Sequence, residues 1–163
     1  LSKNAKVKLT IVDGPKEKAK EFLTVLLEKM DLHCDFDITL EGEVLKVQVT
    51  KINNKDKGII IGKRGKNLDA MQYILSLVIN KDRQTYIRTI IDVEDYRTKR
   101  EETLVRLAHK MAEKSRYYNK KVRLEPMNPY ERRIIHSALQ GEKDIITYSE
   151  GEEPYRKVII ETK

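Results

Sequence analysis

The strongest chemical pattern in the sequence is a basic loop between two glycines, which follows an apolar run and precedes a helical pattern. The glycines permit a tight turn and a close backbone approach to a ligand. Apolar residues recur at helical spacing from Leu68 onward, so a helix is predicted there, with its free amide groups and positive dipole end at the loop. This arrangement favours phosphate binding. The candidate phosphate-binding residues are Gly62, Lys63, Arg64, Gly65 and Lys66.

A second candidate site lies on a predicted helix in the C-terminal half of the chain. Asn128, Pro129 and Glu131 form a strong helix start signal. Arg132 and His136 follow on this helix, and their spacing of four places them on one face. An arginine binds phosphate or stacks on a base, and a histidine does either at a suitable pH. Such a pair is a weak signal by itself, since both residue types are common on helix surfaces.

The wider sequence around these two motifs resembles a known bacterial family. The glycine loop and its helix resemble the core of a KH domain, which clamps a single-stranded backbone of about four nucleotides. The arginine–histidine pair resembles the signature of the small Arg-x-x-x-His domain. Together with Leu68–Tyr73, Leu124–His136 and Ser149–Arg156, these motifs closely resemble the Jag family, also called KhpB or EloR. The resemblance covers residues from about 15 to 160.

The resemblance implies a non-catalytic, cytoplasmic regulator that binds single-stranded RNA. It also implies a partnership with a small KH-only protein and a role in regulating cell elongation and envelope synthesis. Binding to single-stranded DNA and assembly into a homo-oligomer remain open. Many members carry an additional N-terminal domain, which is not recognisable here, and the chain begins with Leu1 rather than methionine, as expected of a piece of a longer protein.

The elements that must position the glycine loop are predicted over residues 14–92, in the order of a type II KH domain. They are a helix from Pro15 to about Asp31, a hairpin with its turn at 41–43, a short helical turn at 59–61, the glycine loop, a helix to about Asn80 and a strand at 85–91. A three-stranded sheet would bury one face against the helices. Residues 1–13 are interpreted as an N-terminal arm or as the tail of a missing segment.

The second predicted domain, residues 93–163, is a small α/β unit that carries the Arg-x-x-x-His pair, so the overall fold class is α+β. Acidic residues at 92–95 predict the start of a helix that runs to about Tyr118. A brief strand at 121–125, a helix ending at Gln140 and paired strands at 145–149 and 155–161 then follow.

Positive charge is concentrated in one segment of the chain. The formal net charge is +7, from 33 Lys and Arg against 26 Asp and Glu. The segment from Arg97 to Arg133 holds 12 basic and 5 acidic residues, a difference of +7, and the remainder holds 21 of each sign. Localised charge of this kind favours a polyanionic partner. A solvated helix with a basic bias is the plainer alternative.

Several other classes of function lack a supporting motif. The single cysteine, Cys34, excludes an intramolecular disulfide and a cysteine-rich metal site, and the apolar runs are shorter than the ~20 residues of a membrane span. We therefore expect no cofactor, no metal and no membrane insertion. An enzyme would use His109 or His136 as a general base beside Glu113 or Glu131. No nucleophile or paired-carboxylate motif supports that alternative.

A protein-interaction scaffold is the main alternative function. KH domains pair with one another through their sheets and helices, and a basic surface also suits acidic proteins. In this interpretation RNA binding is secondary, and both roles are compatible in one chain.

Overall fold

A computed structural model describes residues 14–163, in two compact units, the first ending at Asp95 and the second running from Tyr96 to Lys163. The strand or arm predicted within residues 1–13 lies outside the described residues. The two units match the predicted α+β class: each is a three-stranded sheet with helices.

Between residues 14 and 95, the first unit contains three helices and three strands. In chain order they are α1 (Pro15–Lys29), β1 (Asp35–Glu41), β2 (Val44–Thr50), α2 (Asn54–Ile61), a single 3₁₀ turn (Lys63–Gly65), α3 (Lys66–Asn80) and β3 (Arg88–Val93). Strand β2 is central, antiparallel to β1 and parallel to β3. This is the predicted element order of a KH-type domain.

One face of the first sheet is apolar and supports the helices. The register aligns Ile38 with Val47 and Val47 with Ile91, and the side chains two residues before and after them point the same way. Helix α3 packs on this sheet through a stripe at helical spacing, of which Leu68 and Leu75 are fully buried. The apolar side chains of the strands and the apolar stripe of α3 therefore bury one another. This packing holds the start of α3 against the sheet.

Two elements of the first unit differ from the prediction, because an asparagine side chain bonds to the backbone near the start of each. Helix α2 spans eight residues rather than one turn, since the Asn53 side chain accepts a hydrogen bond from the Asp56 backbone amide at 2.9 Å and caps it. Strand β3 begins three residues later than predicted. Asn80 holds both backbone polar groups of Ile87, at 2.7 and 2.9 Å, so Ile87 is not part of the ladder.

The predicted helix start at residues 92–95 was wrong. Strand β3 continues to Val93, which is buried and aligned with Val49. Glu94 and Asp95 have φ angles of 46° and 59°, a left-handed turn that a helix start does not adopt. The next helix begins only at Tyr96, because burial of Val93 in the sheet outweighs the acidic start signal.

The second unit contains two helices and three strands. They are α4 (Tyr96–Tyr118), β4 (Val122–Arg123), α5 (Pro129–Leu139), β5 (Ile145–Glu150) and β6 (Lys157–Thr162). The sheet order is β4-β6-β5 with antiparallel neighbours, and β6 starts two residues later than predicted. Leu104, Ala108 and Ile135 of the helices pack with Val158 and Ile160 of β6 in one apolar core. This packing holds α5 beside β5.

Candidate nucleic-acid interface

The glycine loop is a sharp backbone reversal between α2 and α3. Gly62 ends α2 with a φ of 68° and a ψ of −179°, and Arg64 and Gly65 are also left-handed, with φ angles of 59° and 80°. The Gly62 amide donates to the Gly58 carbonyl at 2.9 Å, so the turn is tied to the last turn of α2. The three left-handed residues turn the chain so that α3 begins immediately after the loop.

A side chain that the sequence analysis missed braces this loop. The Asn67 Nδ2 donates to the Ile59 carbonyl at 2.8 Å, across the loop from the first turn of α3 to α2. The same amide fills the space beside Gly62, where an added Cβ atom would lie 2.5 Å from Asn67 Cγ. Asparagine is a poor helix former that favours local bonds to the backbone, so its place just after a glycine loop was the available signal.

The loop has exposed positive side chains, and its second glycine is buried. Lys63 and Lys66 are exposed, Arg64 is half-buried and Gly65 is buried. The 15-residue α3 begins here, so its first amide groups and positive dipole end add to the field of the lysines. This arrangement is suited to bind phosphate through backbone amides and flanking cations.

One isoleucine before the loop and one leucine after it belong to the core. Ile60 is fully buried, as is Leu68 after the loop, while Ile61 is half-buried. Ile60 and Leu68 therefore belong to the core. They hold the loop in place from below and present no surface for a base.

The second candidate site is anchored by the capped start of α5. The Asn128 side chain accepts a hydrogen bond from the Glu131 amide at 2.8 Å, and Pro129 occupies the first turn, as predicted. The Glu131 carboxylate bonds to another helix and not to the cap. It is buried and accepts a hydrogen bond from Arg100 Nε of α4 at 2.7 Å. This ion pair joins the first turn of α5 to α4.

Arg132 is buried rather than open to solvent. Only 8% of the residue is exposed. Its Nη1 donates to the Met127 carbonyl at 2.8 Å, and its Nη2 lies 2.6 Å from Glu153 Oε1 in the loop between β5 and β6. The guanidinium therefore already binds a carboxylate of the protein.

His136 lies one turn further along the same face and bonds with β5. Its Nδ1 is 2.8 Å from Thr147 Oγ1, and its Nε2 is 3.0 Å from Ser149 Oγ. Partial burial, together with the nearby Arg132 charge, lowers the pKa of His136 below its usual value. A neutral ring has one donor and one acceptor nitrogen, and hydroxyl groups satisfy both.

The predicted site residues thus form two groups in different units. The loop residues are contiguous and lead into the first residue of α3 in the first unit, whereas Arg132 and His136 share one face of α5 in the second. Arg132 and His136 are more enclosed than a surface pair.

The residues weighed for catalysis have other partners. His109 Nδ1 lies 2.9 Å from Glu142 Oε1 rather than pairing with Glu113, and Glu131 is bound to Arg100. Burial raises the pKa of the Cys34 thiol.

Within residues 14–163 no cluster of three or more His, Cys, Asp or Glu side chains suits a metal ion. No helix of that same range is sufficiently long and apolar to cross a membrane.

Comparison with known proteins gives two domain matches and several relatives that share most of this chain. A family model described as "KhpA/KhpB, KH domain" matches residues 16–90, and the family model of the Arg-x-x-x-His domain matches residues 102–162. An "RNA-binding protein KhpB" of Clostridium symbiosum is 45% identical over 162 residues, covering 99% of this chain and 72% of that protein. The protein of the same name from Bacillus subtilis (strain 168) is 34% identical over 163 residues, which cover 99% of this chain and 77% of that protein. The protein of that name from Lactiplantibacillus plantarum is 30% identical over 142 residues, which cover 86% of this chain and 42% of that protein.

Proposed function

The chain belongs to the KhpB family, and from this premise we propose that it is a non-catalytic regulator that binds single-stranded RNA. The relatives carry RNA binding in their names. The observation that carries the proposal is the braced glycine loop, in which Lys63 and Lys66 are exposed at the positive end of α3. We assign residues 14–92 to the KH domain and residues 93–163 to the Arg-x-x-x-His domain.

Phosphates of the strand bind at Gly62, Lys63, Arg64, Gly65 and Lys66. The turn leaves Lys63 and Lys66 exposed beside the start of α3, so a phosphate oxygen meets both cations and the positive end of the helix. A second stretch of the strand binds at the Arg132 and His136 face. Two weak sites in one chain gain affinity through their high effective concentration.

The deciding experiment measures binding of a single-stranded RNA pool against salt concentration, for the wild type and for Lys63→Asp/Arg64→Asp. For single strands, log K falls with log salt by about 0.7 for each phosphate neutralised. We expect a steep wild-type slope and a marked flattening in the charge-reversed variant.

The matched control is Lys81→Asp/Arg83→Asp. This pair has the same residue types, is exposed, and follows the opposite end of α3. The total change in charge is the same, so general electrostatics predicts the same effect for both variants. Equal slopes for the two reversals would overturn phosphate binding at the glycine loop. Absence of binding by the wild type at low salt would overturn RNA binding altogether.

A protein-interaction scaffold is the second candidate, favoured by an apolar surface on α3. Tyr73, Ile74, Leu77 and Tyr86 are 46–65% exposed and lie on or beside one side of this helix. Such exposed apolar groups are typical of interaction surfaces. Pairing with a small KH-only protein, which the family resemblance implies, is proposed at this surface and is compatible with RNA binding.

The wider biological role is proposed on the same basis. The family resemblance extends to a cytoplasmic location and to control of cell elongation and envelope synthesis. The Lys63→Asp/Arg64→Asp variant also tests this extension, since cells carrying it are expected to show the cell-length defect of a deletion. Normal cell length in that strain would separate RNA binding from the elongation role.

A further inference from the structure

Two tyrosines end α4 with their rings open to solvent. Tyr117 is 83% exposed and Tyr118 is 58% exposed. The rings meet edge to face, with centroids 4.8 Å apart and planes at 84°. The buried residues of this end of α4 are Ala112 and Ser115, so neither ring belongs to the core of the second unit. Their large aromatic surfaces are therefore available to a ligand.

The backbone that carries these rings is rigidly held. Ser115 is fully buried, and its hydroxyl donates to the Lys120 carbonyl at 2.9 Å, while the Lys120 amide donates back to the Ser115 carbonyl at 3.3 Å. Just after the rings, the Asn119 side chain accepts a hydrogen bond from the Thr162 hydroxyl of β6 at 3.1 Å. Aromatic side chains presented on a fixed backbone lose little conformational entropy when a ligand binds.

Two lysines lie close to the rings in the sequence. Lys114 lies three and four residues before them, on the same side of the helix, and Lys120 follows two residues after. Within the described part of the chain, neither lysine is paired with a carboxylate. The segment from 110 to 123 contains six basic residues and one acid, Glu113. Positive charge beside exposed aromatic faces is the composition of a single-strand binding surface.

The acids that packing brings near this segment are already engaged. Glu142 and Asp144 bind Arg116, the latter at 2.6 Å, and Glu161 lies 2.7 Å from Lys121. Arg116 and Lys121 are thereby neutralised locally, whereas Lys114 and Lys120 are left to act on a ligand. An acidic protein segment would use the lysines but would gain little from two ring faces, so a nucleic acid is favoured.

We propose that Tyr117 and Tyr118, with Lys114 and Lys120, form a base-stacking site for single-stranded RNA. The rings stack on one or two nucleobases, and the lysines bind the flanking phosphates. The site lies where α4 leads into β4, at the sheet edge opposite β5, to which His136 bonds. It is a third contact for the strand and rests on the proposed RNA binding.

The test measures fluorescence anisotropy of the whole chain with a labelled uridine oligomer of about 20 nucleotides, which is long enough to reach more than one site. Tyr117→Ala/Tyr118→Ala is expected to weaken binding roughly tenfold, within the range measured for lost base stacking. Tyr117→Phe/Tyr118→Phe retains the ring faces and is expected to bind as the wild type does.

A second probe separates stacking from charge. An oligomer of the same length with the ribose-phosphate backbone but no bases is expected to bind the wild type and the alanine variant equally. An alanine variant that keeps wild-type affinity for the uridine oligomer, while the Lys63→Asp/Arg64→Asp variant loses it, would overturn the stacking site alone. If the wild type binds neither oligomer, the proposed function and this site both fail. Loss of binding to polyglutamate with no loss on RNA would assign the surface to acidic proteins instead.

Discussion

Arg132 Nη2 lies 2.6 Å from Glu153 Oε1, so the arginine of the Arg-x-x-x-His motif already holds a carboxylate where a phosphate oxygen is expected to bind. The arginine side chain is 10% exposed and the glutamate side chain is 51% exposed. Of the two partners, Glu153 is therefore the one that is free to move away. Binding of RNA at this face exchanges one anion for another.

The first prediction concerns this exchange. Glu153→Gln keeps the size of the side chain but removes its charge, so we expect RNA affinity to rise by roughly twofold to fivefold, in line with the modest energy of a half-exposed ion pair. Anisotropy titration of the uridine oligomer measures it. Glu152→Gln, the exposed neighbour, removes the same charge from the same loop. An equal gain from both variants would show a general field effect and contradict competition at Arg132.

The second prediction concerns the brace across the glycine loop. Asn67→Ala removes the hydrogen bond to the Ile59 carbonyl and leaves the loop less well defined, so RNA affinity is expected to fall roughly threefold to tenfold. Global stability changes by only about 1 kcal/mol, the usual net worth of one hydrogen bond. Anisotropy and urea unfolding measure the two quantities on the same samples. Unchanged affinity in Asn67→Ala would show that the loop keeps its shape without the brace.

The third prediction contrasts two glycines of one helix. An added Cβ at Gly62 would meet Asn67 Cγ at 2.5 Å and the residue has a φ of 68°, whereas the Cβ of an alanine at Gly58 would have open space. Gly62→Ala is expected to lower the free energy of unfolding by about 1–3 kcal/mol. Gly58→Ala is expected to raise it by about 0.5–1 kcal/mol, since alanine favours the helix. Urea unfolding decides, and equal effects of the two changes would contradict the geometry of the loop.

The fourth prediction concerns pH and follows from His136. Burial and the Arg132 charge lower the pKa of this ring in the folded protein below its value in the unfolded chain. The unfolded state therefore binds more protons between the two values, and stability rises with pH in that window. We expect the wild type to lose stability as the pH falls below about 6.5, the usual pKa of histidine.

The measurement is the urea midpoint at several pH values between neutral and mildly acidic. His136→Gln removes the titrating group and retains a donor and an acceptor, so its midpoint is expected to depend less on pH. His109→Gln is the control, because that ring lies beside the Glu142 carboxylate and is half exposed. A pH dependence that survives in His136→Gln would assign the effect to other groups.

Much of the fold was predictable because its signals are local. The start of α1 at Pro15, the α3 helix after the second glycine and the Asn128 cap of α5 depend on residues within a few positions of one another. The central hairpin and the order of elements also matched, since alternating apolar residues specify strands of this length. Prediction failed where a distant contact outweighed a local signal, as at Val93, whose pairing with β2 extends β3 past Asp92, the first of the acids expected to start a helix.

The spacing of residues was sufficient to locate both candidate sites, and the family was indicated by the resemblance of their motifs to known ones. The spacing located Arg132 and His136 on one helical face because helical periodicity is a property of the backbone. Only the tertiary structure decided what that face contacts. The oxygen atoms of Glu153, Thr147 and Ser149 come from β5 and the loop after it, and the sheet brings them to the helix. Likewise, the hydrogen bond from Asn67 to the Ile59 carbonyl forms only because α2 and α3 meet across the turn. No local sequence pattern specifies how close the two helices come.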